Sequence, residues 1–442
     1  MEEKEKQIRE KIKTLVKEFW QAKQSAGKFV PGKTRVQYSG SMMDERELNE
    51  VVEATLNGWF GLGPKARAFE TKLSEFIGVN SCLLTNSGSS SNLLAVAALT
   101  SPQLGEKRLK PGDEVITVAC TFPTTLNPIL QHGLVPVFLD VELGTYNLLA
   151  EKLGKAIGGK TKAIMFAHTL GNPHDMNEIM DFAKERGLYV IEDNCDALGS
   201  EVHGKKTGSF GHYSTLSFYP AHQITIGEGG AVVTNDRQLA KLAESFRNWG
   251  RACWCTGDER SPLGACGMRF AFKVDGVPYD HKYMYSNIGY NLKPTEINAA
   301  MGVPQMEKLP KFIEARRKNH AFLHSELQKF EDRLILHETF EGIGAKPSWF
   351  AYAITVREPS AGLTRDGLVK FLEAKNIETR PLFAGNILHQ PAYQGIKCRV
   401  AEKLANSDKI LRDTLMVGVY PGLDQEKLSY IADGIGEFMA KA

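Results

Sequence analysis

Three segments of this 442-residue chain hold residue types and spacings that do chemistry. In NSGSSSNLLAVAAL (86–99) a Gly/Ser turn opens a helix, and free N–H groups, hydroxyls and the helix dipole together suit a phosphate. The plain alternative is a Ser N-cap on a surface helix. In VIEDNCDALGS (190–200) an apolar strand delivers Glu192 and Asp193 at its C-terminal end. Open α/β sheets bind ligands at that end, and a carboxylate there can pair with a protonated ring nitrogen. A helix cap or a surface carboxylate is the alternative. In STLSFYPAHQITIGEGGAVVTND (214–236) two strands flank a tight loop in which Ser217 and His222 precede Gly227-Glu228-Gly229-Gly230. Cysteines stand at 82, 120, 195, 253, 255, 266 and 398, and the odd count argues against a disulfide scaffold. The close group 253, 255, 266 calls for its own explanation, whereas Cys82, Cys120 and Cys398 sit in apolar settings and read as core.

These segments need a frame. From about 80 to 235 the runs CLLT, EVITVAC, PVFLDV, KAIMFAH, LYVIED, STLSF and AVVTN alternate with helical segments, which argues α/β with a mainly parallel sheet. Ahead of them, Ile8, Ile12, Leu15, Val16 and Phe19 recur at helical spacing within 2–26, an amphipathic helix with Gly27 as its stop. A loop-rich insert covers about 251–292. Residues 294–331 read as two helices split near Pro310, and the remainder (FAYAITV, IETR, LTRDGLVKFLEAK, DQEKLSYIADGIGEFMAKA) as a smaller α+β unit. The organisation expected is an N-terminal helix (1–30), a large cofactor-binding α/β domain (31–310) carrying the 251–292 loop, and a small α+β domain (311–442).

Composition excludes several classes. The balance of 54 Lys+Arg against 52 Asp+Glu gives no basic field for nucleic acid, and 42% hydrophobic residues exclude disorder. The first residues are charged throughout and no stretch approaches the roughly 18 apolar residues of a membrane span, so a cytoplasmic protein with no membrane partner is expected.

Taken in order, the three segments resemble the sugar aminotransferases of the DegT/DnrJ/EryC/StrS family, of the fold-type I pyridoxal phosphate enzymes. The resemblance runs from about residue 36 to the end and includes ALG behind the acidic strand end, SF followed by a catalytic position and GEGG, and GYNLKPTEINAAMG at 289–302. It implies a large, mainly parallel α/β domain with a smaller α+β C-terminal domain. It implies a cofactor phosphate held around Gly88, Ser89 and Ser217, with Asn291 supplied from a second subunit of a homodimer. It also implies Asp193 on the pyridine nitrogen and Phe122 stacked on the ring, a core Phe being the alternative. In that family the catalytic position is a lysine that binds the cofactor covalently; here it is His222.

A histidine cannot form a Schiff base, and no lysine lies between Lys206 and Lys241 to take over. Imidazole does titrate near neutrality and can remove a proton, which makes a pyridoxamine phosphate (PMP) dependent dehydratase the natural expectation. With SFYPAH and GEGG around it, the swap looks like the 3-dehydratases of 3,6-dideoxyhexose biosynthesis. Those act on CDP-4-keto-6-deoxyglucose and hold a [2Fe-2S] cluster. Their ligand pattern falls here on Cys195, Cys253, Cys255 and Cys266, although the stretch TGDERSPLGA before Cys266 is longer than its counterpart in that group. Four thiolates satisfy a two-iron cluster, and zinc is the rival. By the same resemblance the substrate is a CDP- or TDP-4-keto-6-deoxyhexose and the electron donor an iron–sulfur flavoprotein reductase, since no GxGxxG follows a strand in this chain. Three other readings compete: a glutamate-dependent 3-dehydratase without a cluster, a non-catalytic nucleotide-sugar or PMP binder, and, last, a plain aminotransferase. His168, Arg380 and Tyr219 are candidate substrate contacts that serve equally as structural polar residues.

Overall fold

The computed structural model describes residues 2–24, 28–253 and 267–442. Its centre is an eight-stranded sheet in the order Ser81–Thr85, Gly230–Thr234, Tyr213–Ser217, Tyr189–Asp193, Thr161–Ala167, Glu114–Val118, Val135–Leu139 and Arg399–Val400. Gly230–Thr234 runs antiparallel to both neighbours and all other pairings are parallel, as the alternation of apolar runs with helices requires. Successive strand residues face opposite cores. Ile116, Val137, Ile164 and Val190 meet Met176, Ile179 and Ala183 on one side, while Val115, Phe138, Ala163 and Ile191 meet the helices Gly88–Leu99 and Arg237–Arg247 on the other. Burying each such Val, Ile or Phe contributes roughly 1.5–3 kcal/mol, so both faces strongly specify the register.

A second sheet of three antiparallel strands, Leu334–Leu336, Ala351–Val356 and Thr414–Gly418, packs with the helices Arg365–Ala374 and Gln425–Lys441 around Leu368, Leu372, Ile431 and Ile435. The N-terminal helix Glu2–Gln24 is present and is tied to the helix Glu45–Leu56 by Arg9, which donates to Glu53 at 2.9 Å. Gly27 lies outside the described residues. Among the described residues no helix is long and apolar enough to cross a membrane.

Three expectations change. The split at Pro310 does not occur, because Glu296–Leu327 is one helix containing both Pro304 and Pro310. A helix-interior proline costs about 3 kcal/mol. Burial of Ala299, Gly302, Leu309, Ile313 and Leu323 on both sides of the prolines offsets it, and Gly302 sits so close to Phe69 that a Cβ would lie 2.4 Å from its ring. IETR makes only isolated bridges, Ile377 to Val36 and Arg380 to Met416, since its two ends pair with different segments. The 251–292 insert contains a hairpin, Phe272–Val274 with Val277–Tyr279, whose largely exposed strands lack the apolar alternation that reveals a buried one.

Candidate active site

The C-terminal ends of the central strands bring the three sequence segments together. Ser87 caps the helix Gly88–Leu99, its Oγ accepting from the Ser90 N–H at 3.1 Å, which leaves the N–H groups of Gly88 and Ser89 for an anion. Gly88 is obligatory there: a Cβ would fall 2.5 Å from Ser217 Cβ and 3.1 Å from Cys195 Sγ. Gly88, Ser217 and Cys195 therefore share one small volume although they come from three distant segments. Ser89 stands exposed on the same turn.

Asp193 ends its strand 4% exposed. Its Oδ2 accepts from Asn92 Nδ2 at 2.8 Å and Thr125 Oγ1 at 2.7 Å, its Oδ1 accepts from the Cys195 N–H at 3.2 Å, and Thr215 Oγ1 in turn donates to Asn92 at 2.6 Å. These three donors fix the carboxylate in the place where it could meet a pyridine nitrogen. Glu192, one residue earlier, points to the other face and is structural: it accepts the backbone N–H groups of Gly208, Phe210 and Gly211 and faces His168 at 3.1 Å. His168 is fully buried in that network, against His174, the arrangement of a structural polar residue.

His222 lies in the loop 218–229 between the paired strands Tyr213–Ser217 and Gly230–Thr234, whose register sets Ser217 opposite Gly230. The loop closes on itself through the Phe218 N–H to Gly229 O at 2.9 Å and the Ile226 N–H to Phe218 O at 3.1 Å. The His222 N–H donates to Tyr219 O at 3.0 Å, and the His222 Nδ1 stands 3.4 Å from Asp196 Oδ1. That approach is not a hydrogen bond, and Nε2 lies on the opposite edge of the ring from it. The Phe350 ring packs on the imidazole at 5.3 Å between centroids, and Tyr219, half exposed, approaches at 6.5 Å. Behind the loop a cavity of about 10 Å³ is lined by Gln223, Thr225, Gln305 and Arg316, room for one water at most.

Phe122 is 48% exposed at the start of the helix Pro123–Gln131 and meets Phe383 edge-on at 6.1 Å. Phe383 has φ of +45°, a strained conformation for an aromatic residue. Arg380 is held by Glu378 and lies 4.7 Å from the Tyr38 ring, an arrangement that keeps its head partly exposed. Asn291 is exposed and accepts from Lys293 Nζ at 2.5 Å. Its segment is pinned where Gly289 and Gly250 abut; a Cβ on Gly289 would lie 2.3 Å from the Gly250 nitrogen. Burial, with Arg247 and Arg251 nearby, brings Lys293 down to about 8.

Of the four cysteines expected to bind metal, Cys195 and Cys253 are described, whereas Cys255 and Cys266 lie outside the described residues. Among the described residues no group of three or more His, Cys, Asp and Glu could hold a metal ion. Burial, then Asp193, pushes the Cys195 thiol well above its usual range. Cys120 is core as expected, and Cys82 and Cys398 pack partly buried against apolar clusters.

The residues that sequence reasoning missed are Asn92, Thr125, Asp196, Arg316 and Phe350. No local signal singled out the first two, since Asn92 follows three serines and Thr125 stands among Thr121, Thr124 and Asn127.

The family profile of the DegT/DnrJ/EryC1/StrS aminotransferases matches residues 41–436. The chain belongs to that family. It is 48% identical over 434 residues to the lipopolysaccharide biosynthesis protein RfbH of Salmonella typhimurium, covering 98% of both chains. It is 47% identical to a dTDP-4-dehydro-2,6-dideoxy-D-glucose 3-dehydratase of Saccharopolyspora spinosa, covering 98% of this chain and 93% of that one. Among solved structures, the E. coli GDP-4-keto-6-deoxy-D-mannose-3-dehydratase with bound hydrated pyridoxal phosphate superposes with a TM-score of 0.79 at 28% identity, covering 90% of this chain and 98% of that one. The fold is therefore that of the fold-type I family members, as their shared sheet and helices require.

Proposed function

We propose that this family member is a PMP-dependent 3-dehydratase of a nucleotide-linked 4-keto-6-deoxyhexose. The observation that carries the proposal is His222: an imidazole, beside Asp196 and packed by Phe350, occupies the loop position where an aminotransferase needs its lysine. The remaining site suits the cofactor. The Gly88 turn with Ser89 and Ser217 would hold its phosphate, with Asn291 of a second subunit in a homodimer. Asp193 would hold its ring nitrogen protonated, and Phe122 would lie on its ring. When bound, the cofactor supplies an amine for the sugar C4 ketone and an electron sink. His222 Nε2 would take up a proton at the reacting carbon and hand it to the C3 hydroxyl oxygen, which would then leave as water. The relatives named as 3-dehydratases support this reading over transamination.

Within it, we assign CDP-4-keto-6-deoxyglucose as the substrate. The TDP-linked sugar is the second reading, favoured by the name of the Saccharopolyspora relative. We further assign a [2Fe-2S] cluster to Cys195, Cys253, Cys255 and Cys266. The seat of Cys195 against the phosphate turn supports it. Such a cluster would supply single electrons from an iron–sulfur flavoprotein reductase, and two electrons with two protons would replace the C3 hydroxyl by hydrogen and release water. The place of action is the cytoplasm. Anaerobic purification followed by iron, sulfide and zinc analysis, then turnover with each nucleotide sugar plus dithionite or glutamate, tests these assignments. Two irons and two sulfides per chain with reductant-dependent 3-deoxy product are expected. Metal-free protein active with glutamate would move the cluster-free dehydratase to first place, and one zinc would make the cysteines structural.

A further inference from the structure

Arg316 is the largest fully buried side chain among the described residues, 1% exposed, on the helix Glu296–Leu327. Removing a guanidinium from water costs several kcal/mol unless its donors are used, so the partners of a buried arginine show its role. Its Nη1 donates to Trp349 O at 3.0 Å and Phe350 O at 3.1 Å, and its Nη2 donates to His222 O at 3.0 Å. One rigid fork thus ties down the backbone of His222 and the backbone of the residue whose ring lies 5.3 Å from the His222 imidazole. Burial lowers Arg316 to about 10, with Asp196 opposing the shift, so the fork stays charged at neutral pH.

We propose that Arg316 is a positioning residue for His222: by fixing both backbones at once it sets the imidazole against Phe350 and Asp196 and directs Nε2 toward the reacting carbon. The proposal rests on the reading of His222 as the base. Lysine cannot replace the fork, because one ammonium on a flexible stem does not hold three carbonyls spread over two nitrogens. A purely fold-stabilising arginine would lower the melting temperature when replaced yet leave the imidazole environment of the folded protein unchanged.

The test uses the full chain, labelled with ¹³C-histidine, with and without PMP, the His222 signal being assigned by its absence in His222→Asn. In Arg316→Lys we expect that signal to move or broaden, and kcat for dehydration to fall about tenfold or more with KM within about threefold, as misplacement of a reacting group requires. An unmoved His222 signal with kcat within about twofold of wild type would overturn the proposal, since displacement of that size should cost more. Should Arg316→Lys fail to fold, Arg316→Gln, which keeps a planar head but cannot reach both sets of carbonyls, is read in the same way. A moved signal with reduced kcat is then expected, and an unchanged signal with full activity overturns the proposal. The two readings fail separately: undiminished dehydration by His222→Asn would remove the base, whereas the NMR comparison reports on positioning without turnover.

Discussion

Acid should loosen the C-terminal unit through two buried histidines. His320 stacks on Trp349 at 3.9 Å and 6° between planes, and His337 meets the same indole at 4.4 Å. Burial, with neighbouring imidazoles, holds His320 well below its usual range, and burial brings His337 down to about 3. His337 Nδ1 accepts from the Ala353 N–H at 3.5 Å, a contact that protonation would abolish. The unfolded groups titrate near 6.5, so the folded values are depressed. For a depressed histidine the stabilisation is complete above the unfolded value and is lost as pH falls below it, because the unfolded chain then binds the extra proton. Between pH 7 and pH 5 His337 removes about 2 kcal/mol out of the roughly 5–15 kcal/mol that hold a domain, and His320 acts in the same direction. Urea unfolding followed by tryptophan fluorescence at pH 7, 6 and 5 should show this loss. His320→Phe keeps the stack and removes one titration, so its stability should fall less steeply, by about 1.4 kcal/mol per pH unit below pH 6. Equal slopes for the variant and wild type would refute the assignment of that proton to His320.

Replacing Gly88 by Ala places a methyl group inside the Ser217–Cys195 contact; PMP affinity, read by fluorescence quenching, should fall at least about tenfold while the far sheet is undisturbed. Thr125→Val removes one of two side-chain donors to the buried Asp193 carboxylate, and a loss of about 1.5–3 kcal/mol is expected in cofactor binding and melting combined. Glu296 accepts the N–H groups of Gly63, Lys65 and Ala66 at the start of the helix Pro64–Ile77, so Glu296→Ala should lower thermal stability by about 2 kcal/mol or more.

The legible part of the site is the part built from strand ends. Gly88, Asp193, Ser217 and His222 each follow an apolar run whose C-terminal end the parallel topology must place at one edge, so their convergence follows from the pattern of strands. Asp196, Arg316 and Phe350 act through the loop backbone and through side-chain packing across more than one segment, and no local spacing encodes such contacts. The helix through Pro304 and Pro310 was illegible for the same reason, since burial against Phe69 and its neighbours overrides the local penalty. Glu192 and Asp193 are adjacent acids in sequence, yet alternation sends one to three backbone donors and the other to the site.

The most direct test of the central claim is release of ¹⁸O from a C3-labelled nucleotide 4-keto-6-deoxysugar in a single turnover with PMP, which reads dehydration without any reductase. The wild-type chain should discharge the label into water, and His222→Asn should retain it. Transfer of the amino group with the C3 oxygen intact, or equal release by both proteins, would contradict the account.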